Sequence, residues 1–185
     1  MIQCHDFRLK IKDELLFTCD LNFKKGFVYV IKGENGSGKT SFLRALKGLF
    51  MYEGQLEIKG TVIYQPQHFH LFQKHAKDNF FPDMQRADRF IRYFGIEDLL
   101  DKSVNVLSGG ERQKVALIRS VIQDYDILLL DEPCSQMDIK SMEMTHALLF
   151  ELAQIENKCI LLVSHQLDAS LDHAIPLEIK DKQLI

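Results

Sequence analysis

A glycine-rich segment that ends in a lysine and a threonine has the composition and spacing of a phosphate-binding loop. It reads Gly33-Glu34-Asn35-Gly36-Ser37-Gly38-Lys39-Thr40 and matches the pattern GxxxxGK[ST]. Glycines permit a tight turn in which several backbone N–H groups point at phosphate oxygens, and the start of the following helix adds positive potential. Lys39 then reaches the β- and γ-phosphates, and the Thr40 hydroxyl suits Mg²⁺. The residues expected to hold the phosphates are Gly33, Asn35, Gly36, Ser37, Gly38, Lys39, Thr40 and Ser41.

Two adjacent carboxylates follow an apolar run later in the chain. The run is 127–130, and Asp131 and Glu132 come directly after it. Side chains alternate along a strand, so we expect these two carboxylates to point in different directions. Asp131 then serves a Mg²⁺ ion on the β- and γ-phosphates, and Glu132 faces a water molecule in line with the γ-phosphorus as a general base.

The pattern of apolar residues predicts the elements that must position these side chains. Strands are predicted at 1–12, 15–23, 27–31, 55–59, 61–64, 127–130, 159–163 and 175–179. Helices are predicted after the phosphate loop (on Phe42, Leu43, Leu46 and Leu49), from Gly109 onward and at 141–154. Buried strands that alternate with helices of this length indicate βαβ units and a mainly parallel sheet.

Composition excludes several other classes of protein. The chain has 185 residues, 46% hydrophobic and 26% charged, which favours one globular domain over a disordered chain. Its net charge of −3 removes the simplest electrostatic argument for direct nucleic-acid binding. The longest apolar runs are far shorter than the ~20 residues of a membrane-spanning helix. The first residues show no secretion signal, and the four cysteines are widely spaced, so we expect a cytoplasmic protein with reduced thiols.

A second glycine-containing segment carries a family resemblance. Residues 107–113 read Leu-Ser-Gly-Gly-Glu-Arg-Gln, which resembles the signature LSGGxRQ of the ATP-binding cassette (ABC) ATPases. The remaining family motifs occur in the expected order: a Q-loop at 64–67 with Gln67 as its glutamine, a Walker B strand at 127–131 with Glu132 after it, a D-loop at 135–138 and a switch histidine at His165. The resemblance covers essentially the whole chain.

The resemblance implies a fold, a reaction and a set of roles. It implies an α/β P-loop NTPase with a RecA-like, mainly parallel core and a small N-terminal antiparallel β region. One domain covers 1–185, with a short helical subdomain at about 68–106 to which the signature helix 108–123 belongs. ATP and Mg²⁺ are the implied cofactors. The implied roles are catalysis for Lys39, Gln67, Glu132 and His165, metal binding for Thr40, Gln67 and Asp131, and contact with the ATP of a second subunit for Ser108, Gly109 and Gly110.

The same resemblance implies partners. Two cassettes pair head to tail around ATP, as a homodimer or a heterodimer, and drive a transmembrane permease subunit on another chain. The protein is then peripheral at the cytoplasmic face of a membrane. Two alternatives stay open: a soluble ABC ATPase that acts on nucleic acid or ribosomes, and a regulatory module that binds nucleotide with little hydrolysis. Transport direction and substrate also stay open.

Three features bear on these expectations. The D-loop has Gln136 and Met137 where the family commonly has Ala and Leu. No aromatic residue clearly occupies the place at which the family stacks adenine, and Phe7 is the nearest candidate. The segment that contains Phe80 and Phe81 is rich in aromatic residues, which suits either core packing or a groove for a helix of the membrane subunit.

Overall fold

A computed structural model describes residues 1–71, 74–164 and 169–185 of the protein. The strands are β1 (Ile2–Ile11), β2 (Glu14–Phe23), β3 (Val28–Lys32), β4 (Glu53–Ile58), β5 (Val62–Gln65), β6 (Ile127–Asp131), β7 (Cys159–Val163), β8 (Ile175–Lys180) and β9 (Gln183–Leu184). The α-helices are α1 (Lys39–Leu46), α2 (Met84–Phe94), α3 (Gly109–Val121) and α4 (Ile139–Gln154). Short 3₁₀ helices cover Lys77–Phe80, Glu97–Leu99, Val104–Val106 and Ala169–Leu171.

The described strands form one sheet of nine, in the order β4-β1-β2-β9-β8-β3-β7-β6-β5. Strands β8, β3, β7, β6 and β5 are parallel to one another. Strands β1, β2 and β4 form an antiparallel region at the other end. The mainly parallel core and the antiparallel N-terminal region therefore both occur as expected. Because parallel strands β3, β5 and β6 all end at one edge of the sheet, the loops that follow them meet there.

Hydrophobic residues pack on both faces of the parallel strands. Leu128 and Leu130 of β6 lie in one core with helices α2, α3 and α4. Ile127 and Leu129 lie in a second core with α1 and the antiparallel strands. All five residues of β6 and all five of β7 are buried. Burial on both faces explains why these strands are continuous apolar runs rather than alternating ones.

A helical region lies against α3. Helix α2 and the 3₁₀ helix 77–80 both contact α3, and Phe80 is fully buried among them. The next residue, Phe81, is 85% exposed. Phe80 is therefore part of the core, whereas Phe81 lies on the surface. Contact of this surface with a helix of a membrane subunit stays a prediction.

Two local predictions were wrong or incomplete. Helix α1 ends at Leu46, and Gly48 follows in a left-handed conformation (φ 77°), so Leu49 is not on the helix and is 57% exposed. Strand β9 was not predicted. It pairs with β8 through a turn in which Asp181 and Lys182 both have positive φ.

Candidate ATP site

The glycine-rich segment forms the connection from β3 to α1. Gly36 and Gly38 have φ values of 82° and 105°, a backbone conformation that residues other than glycine rarely adopt. A Cβ atom on Gly38 would lie 2.9 Å from Leu16 Cδ1, so a larger residue would also displace that side chain. Gly38 is also the N-cap of α1, so the helix begins at Lys39 and its free N–H groups face the loop.

A cleft of about 540 Å³ lies at this edge of the sheet. Its lining residues come from β1, the loop, the segment after β5 and the end of β6: Ile11, Asn35, Gly36, Gly38, Lys39, Thr40, Ser41, Gln67 and Glu132. The fold therefore brings Gln67 and Glu132 to the phosphate loop, as predicted. Two other predicted residues, Gly33 and Ser37, line a separate cleft on the opposite side of the loop. Their contribution is to the turn itself, since a Cβ on Gly33 would lie 2.9 Å from Ser37 Oγ.

Lys39 is held in the loop by backbone carbonyl groups. Its Nζ atom donates to the carbonyl oxygens of Gly33 and Glu34, each at 2.8 Å, and the residue is only 6% exposed. Burial lowers the pKa of Lys39, and the nearby charges of Glu132 and Asp131 oppose that effect. Two neutral acceptors satisfy the ammonium incompletely, which leaves it suited to bind the oxygens of a phosphate.

Asp131 has an oxygen without a partner. The residue is 1% exposed, and its Oδ1 atom is buried with no hydrogen bond. The Thr40 hydroxyl hydrogen-bonds to the carboxylate, and the Tyr64 hydroxyl donates to Oδ2 at 3.4 Å. Burial is the main cause of a raised pKa for Asp131. A buried carboxylate oxygen beside a threonine hydroxyl is the donor set that a hard divalent cation prefers, so these residues fit Mg²⁺.

Glu132 leaves the strand through an unusual backbone conformation. Its φ is +50°, in the left-handed region that disfavours a residue with a side chain. Its N–H donates to the carbonyl oxygen of Val163 on the neighbouring strand at 3.0 Å. This turn sends Glu132 to the cleft while Asp131 stays buried, so the predicted divergence of the two carboxylates is produced by a left-handed residue and not by strand alternation alone.

The segment Ser108–Gly110 lies at the start of α3. The Ser108 side chain accepts a hydrogen bond from the N–H of Glu111, and the Glu111 carboxylate accepts one from the N–H of Ser108, which makes a capping box. Within the described part of the chain, the cleft at the phosphate loop has no lining residue from this segment. Contact of these residues with the nucleotide of another subunit stays a prediction.

A family model described as ABC transporter matches residues 16–135. The chain belongs to the ABC transporter family. Its expected class, an ABC-type ATPase, is confirmed at the level of the family.

Similar proteins agree with this assignment. The chain is 31% identical over 172 residues to an uncharacterised ABC transporter ATP-binding protein of Methanocaldococcus jannaschii, with 86% of this chain and 64% of that protein covered. It is 33% identical over 176 residues to the thiamine import ATP-binding protein ThiQ of Aliivibrio fischeri, with 82% and 75% covered. The chain thus spans about two thirds to three quarters of the length of these relatives.

A solved structure supports the fold. A dimeric ATP-binding cassette in a post-hydrolysis state, bound to ADP and Pi, superposes with a TM-score of 0.84 at 23% identity. The match covers 100% of this chain and 96% of that one. The predicted fold class, a P-loop α/β fold, is therefore confirmed.

The remaining site predictions have different outcomes. His165, the predicted switch histidine of this ABC protein, lies outside the described residues, and its role stays a prediction. Phe7 cannot stack on a base, because it is 0% exposed and packs against Phe17, Phe42 and Tyr52. Among the described residues that line the cleft, the apolar side chain is instead that of Ile11.

Sequence reasoning missed Tyr64 and Gln113 as parts of the site. Tyr64 donates to the Asp131 carboxylate. Gln113 is the last residue of the signature motif and is followed by a charged residue, so the sequence marked it as part of the motif without showing which residues its side chain contacts. Its amide donates to the Ser135 hydroxyl at 2.8 Å and to the Glu132 carbonyl oxygen at 3.4 Å.

Proposed function

We propose that this protein binds and hydrolyses Mg·ATP as one subunit of an ABC transporter, dimerises around ATP and powers uptake through a separate permease chain. The observation that carries the proposal is the cleft itself. It joins a cationic phosphate loop, a carboxylate in position to act as a base, and a buried carboxylate oxygen that lacks a partner. Each of these groups is suited to a different part of a triphosphate with its metal ion and attacking water.

Within one chain, the described residues divide the work of phosphoryl transfer. Lys39 holds the β- and γ-phosphates, and Mg²⁺, when bound by Thr40, Asp131 and Gln67, neutralises charge on those phosphates. Glu132 accepts a proton from the water that attacks the γ-phosphorus, which leaves as inorganic phosphate while ADP keeps the bridging oxygen. His165 is proposed to hold the γ-phosphate and the water in line.

A second subunit is needed to complete the site. The helix start at Ser108, Gly109 and Gly110 offers backbone N–H groups to an anion, but it has no lysine of its own and does not line the described cleft of its own chain. Placed over the γ-phosphate in the cleft of another subunit, it makes dimerisation depend on ATP, and hydrolysis then releases the pair. We propose that the partner cassette is either a second copy or a related chain.

The permease is proposed to contact the helical region. Phe81 is 85% exposed and Met84 is 38% exposed at the start of α2, next to a cleft of about 360 Å³. Exposed aromatic residues of this kind suit contact with an apolar helix. Relatives such as ThiQ are named import ATP-binding proteins, which supports uptake and a location at the cytoplasmic face of a membrane. No helix in the described ranges has the length and apolar character that crossing a bilayer requires.

An affinity pull-down from detergent-solubilised native membranes tests this proposal. Wild type is expected to recover a stoichiometric membrane protein with many spans, and Phe81→Ser is expected to lose it while keeping ATP hydrolysis. Met51→Ser is the matched control, because Met51 is 88% exposed and lies in a different cleft, away from the helical region. Recovery of the wild type only in the soluble fraction, alone or with ribosomes or nucleic acid, would overturn the transport proposal and support the soluble alternative.

A further inference from the structure

Gln113 lies at the junction between the signature helix and the turn that carries Glu132. The residue is 2% exposed although its side chain is polar. Its amide nitrogen donates to the Ser135 hydroxyl at 2.8 Å and to the Glu132 carbonyl oxygen at 3.4 Å. Its amide oxygen accepts from the N–H of Gln136 at 2.8 Å. One side chain of α3 therefore joins three residues of the segment 132–136.

Gln136 makes a second connection between the same two segments. A Cβ atom on Gly109 would lie 1.9 Å from Gln136 Oε1, and a Cβ atom on Gly110 would lie 2.8 Å from the carbonyl oxygen of Gln136. Gln136 thus packs on the signature glycines, with its side chain against Gly109 and its backbone against Gly110. A rotation of α3 against the sheet must shift Gln136 as well.

The backbone at Glu132 is the part of this assembly that needs support. A residue with a side chain in the left-handed region costs about 1–2 kcal/mol relative to the usual conformations. Such strain persists only where neighbouring contacts fix the backbone. Here the N–H of Glu132 is bonded to Val163 of the sheet, and its carbonyl oxygen accepts from Gln113 of the signature helix. The two sides of the strained residue are therefore held by two different structural layers.

We propose that Gln113 and Gln136 form a latch that fixes the backbone of Glu132 to the signature helix of the same chain, which makes both of them positioning residues for the catalytic carboxylate. The inference rests on the proposed function, in which the signature segment binds the ATP of the partner subunit. When that segment is seated on a γ-phosphate, the latch holds Glu132 at its own cleft. When α3 moves away, the latch releases the strained turn and withdraws the base.

Three variants test the latch by steady-state kinetics, equilibrium binding of ATP and amide hydrogen exchange. Gln113→Leu keeps the volume of the side chain and removes all three hydrogen bonds. Gln113→Glu keeps an acceptor for the N–H of Gln136 and for the Ser135 hydroxyl, and loses the donor to Glu132. Gln154→Leu is the matched control, since Gln154 is an exposed residue at the end of α4.

For Gln113→Leu we expect kcat to fall by about tenfold or more while KM changes by less than about threefold, because a displaced base removes an interaction of the transition state. ATP binding to the monomer should be unchanged, since Lys39 is not part of the latch. Gln113→Glu should recover part of kcat, and Gln154→Leu should match wild type. The N–H groups of Glu132 and of residues 134–136 should exchange at least about tenfold faster in Gln113→Leu than in the control.

Two results would overturn the latch. One is a kcat of Gln113→Leu within about twofold of wild type in protein that is fully folded. The other is unchanged exchange at Glu132 and at residues 134–136. If Gln113→Leu fails to fold, Gln113→Glu carries the same comparison. If wild type releases no phosphate at all, the proposed function fails by itself, and hydrogen exchange alone then decides whether Gln113 holds the segment.

Discussion

Two aspartates at opposite ends of β6 should respond in opposite ways to the same substitution. Asp126 precedes the strand and accepts from Lys25 Nζ at 2.5 Å and from the N–H of Thr61 at 2.9 Å. Asp131 ends the strand, is 1% exposed and has a buried oxygen with no partner. Asp131→Asn removes a poorly solvated charge, whereas Asp126→Asn removes a well-paired one. We therefore expect the first variant to unfold at a higher temperature than wild type in the absence of nucleotide, and the second at a lower one.

The burial and hydrogen bonds of the two aspartates give the expected size of each change in stability. A buried carboxylate with an unpaired oxygen is more costly when charged than a neutral amide of the same shape, so Asp131→Asn should raise the free energy of unfolding by about 1 kcal/mol. A gain of that size raises Tm by roughly 2–4 °C in a chain of this length. The Asp126 side chain is 34% exposed. Solvent therefore screens its ion pair with Lys25, and its loss should lower the free energy of unfolding by about 0.5–1 kcal/mol.

The dependence on pH follows from the direction of each pKa. Burial, above all, raises the pKa of Asp131 in the folded state, so its destabilising effect is complete at neutral pH and fades as the pH falls through that raised pKa. The hydrogen bond from Lys25, and then that from Thr61, lowers the pKa of Asp126. Its stabilising effect is complete above the pKa of the unfolded chain and is lost as the pH falls through the lowered one. The advantage of Asp131→Asn should therefore shrink on acidification.

Thermal unfolding with and without Mg·ATP is the assay. Wild type and Asp126→Asn should both gain stability from Mg·ATP, because a ligand that binds only the folded state shifts the equilibrium. In Asp131→Asn, most of the Mg²⁺-dependent increase in Tm should be lost. A Tm for Asp131→Asn at or below that of wild type without nucleotide would refute the reasoning on burial. A full Mg²⁺-dependent gain in that variant would refute the metal assignment.

Three further substitutions test other parts of the site. Lys39→Met should weaken binding of a fluorescent ATP analogue by about 100-fold through loss of the charged donor, and a loss under about threefold would contradict its role. Gly109→Ala should be close to neutral by thermal unfolding, since the nearest atom to its Cβ is the far end of the Gln136 side chain, which can turn aside. Gly110→Ala meets the backbone of Gln136 and should lose about 1 kcal/mol, so equal Tm values for the pair would count against the packing. Ile11→Tyr should tighten ATP binding by roughly threefold to tenfold by giving the base an aromatic face, and unchanged affinity would place the base elsewhere.

The buried strands and the phosphate loop could be predicted because their signals are local. A run such as 127–130 is apolar at every position since both faces of β6 are covered. The glycines at 36 and 38 are required by the loop's own backbone conformation. These features depend on residues that are adjacent in sequence, so the residue types predict them directly.

Which side chains of β1 are buried and which line the cleft could not be predicted in the same way. Register shifts against β2 occur between Cys4 and Phe7 and again between Leu9 and Lys10. The first shift keeps Phe7 in the core, and beyond the second Ile11 is 43% exposed and lines the cleft. A one-residue shift reverses which face a strand residue occupies, so alternation in the sequence alone could not tell which side chain would reach the nucleotide.

Polar contacts between residues far apart in the chain also could not be predicted from the sequence. Tyr64 reaches Asp131 only because β5 and β6 are neighbours in the sheet. Gln113 reaches Glu132 only because the tertiary fold brings α3 to the turn after β6. Both residues stand inside quoted motifs, but their contacts depend on tertiary placement, which the motifs alone do not show.

Release of inorganic phosphate from Mg·ATP by wild type and by Glu132→Gln tests the central claim most directly. The account predicts turnover by wild type, with a kcat on the order of 1 s⁻¹ when the dimer forms. It predicts loss of at least about 100-fold in Glu132→Gln, with ATP still bound. Equal, measurable rates in the two proteins would contradict the assignment of Glu132 as the base. Absent turnover with tight ATP binding in both would instead describe a module that binds nucleotide without hydrolysing it.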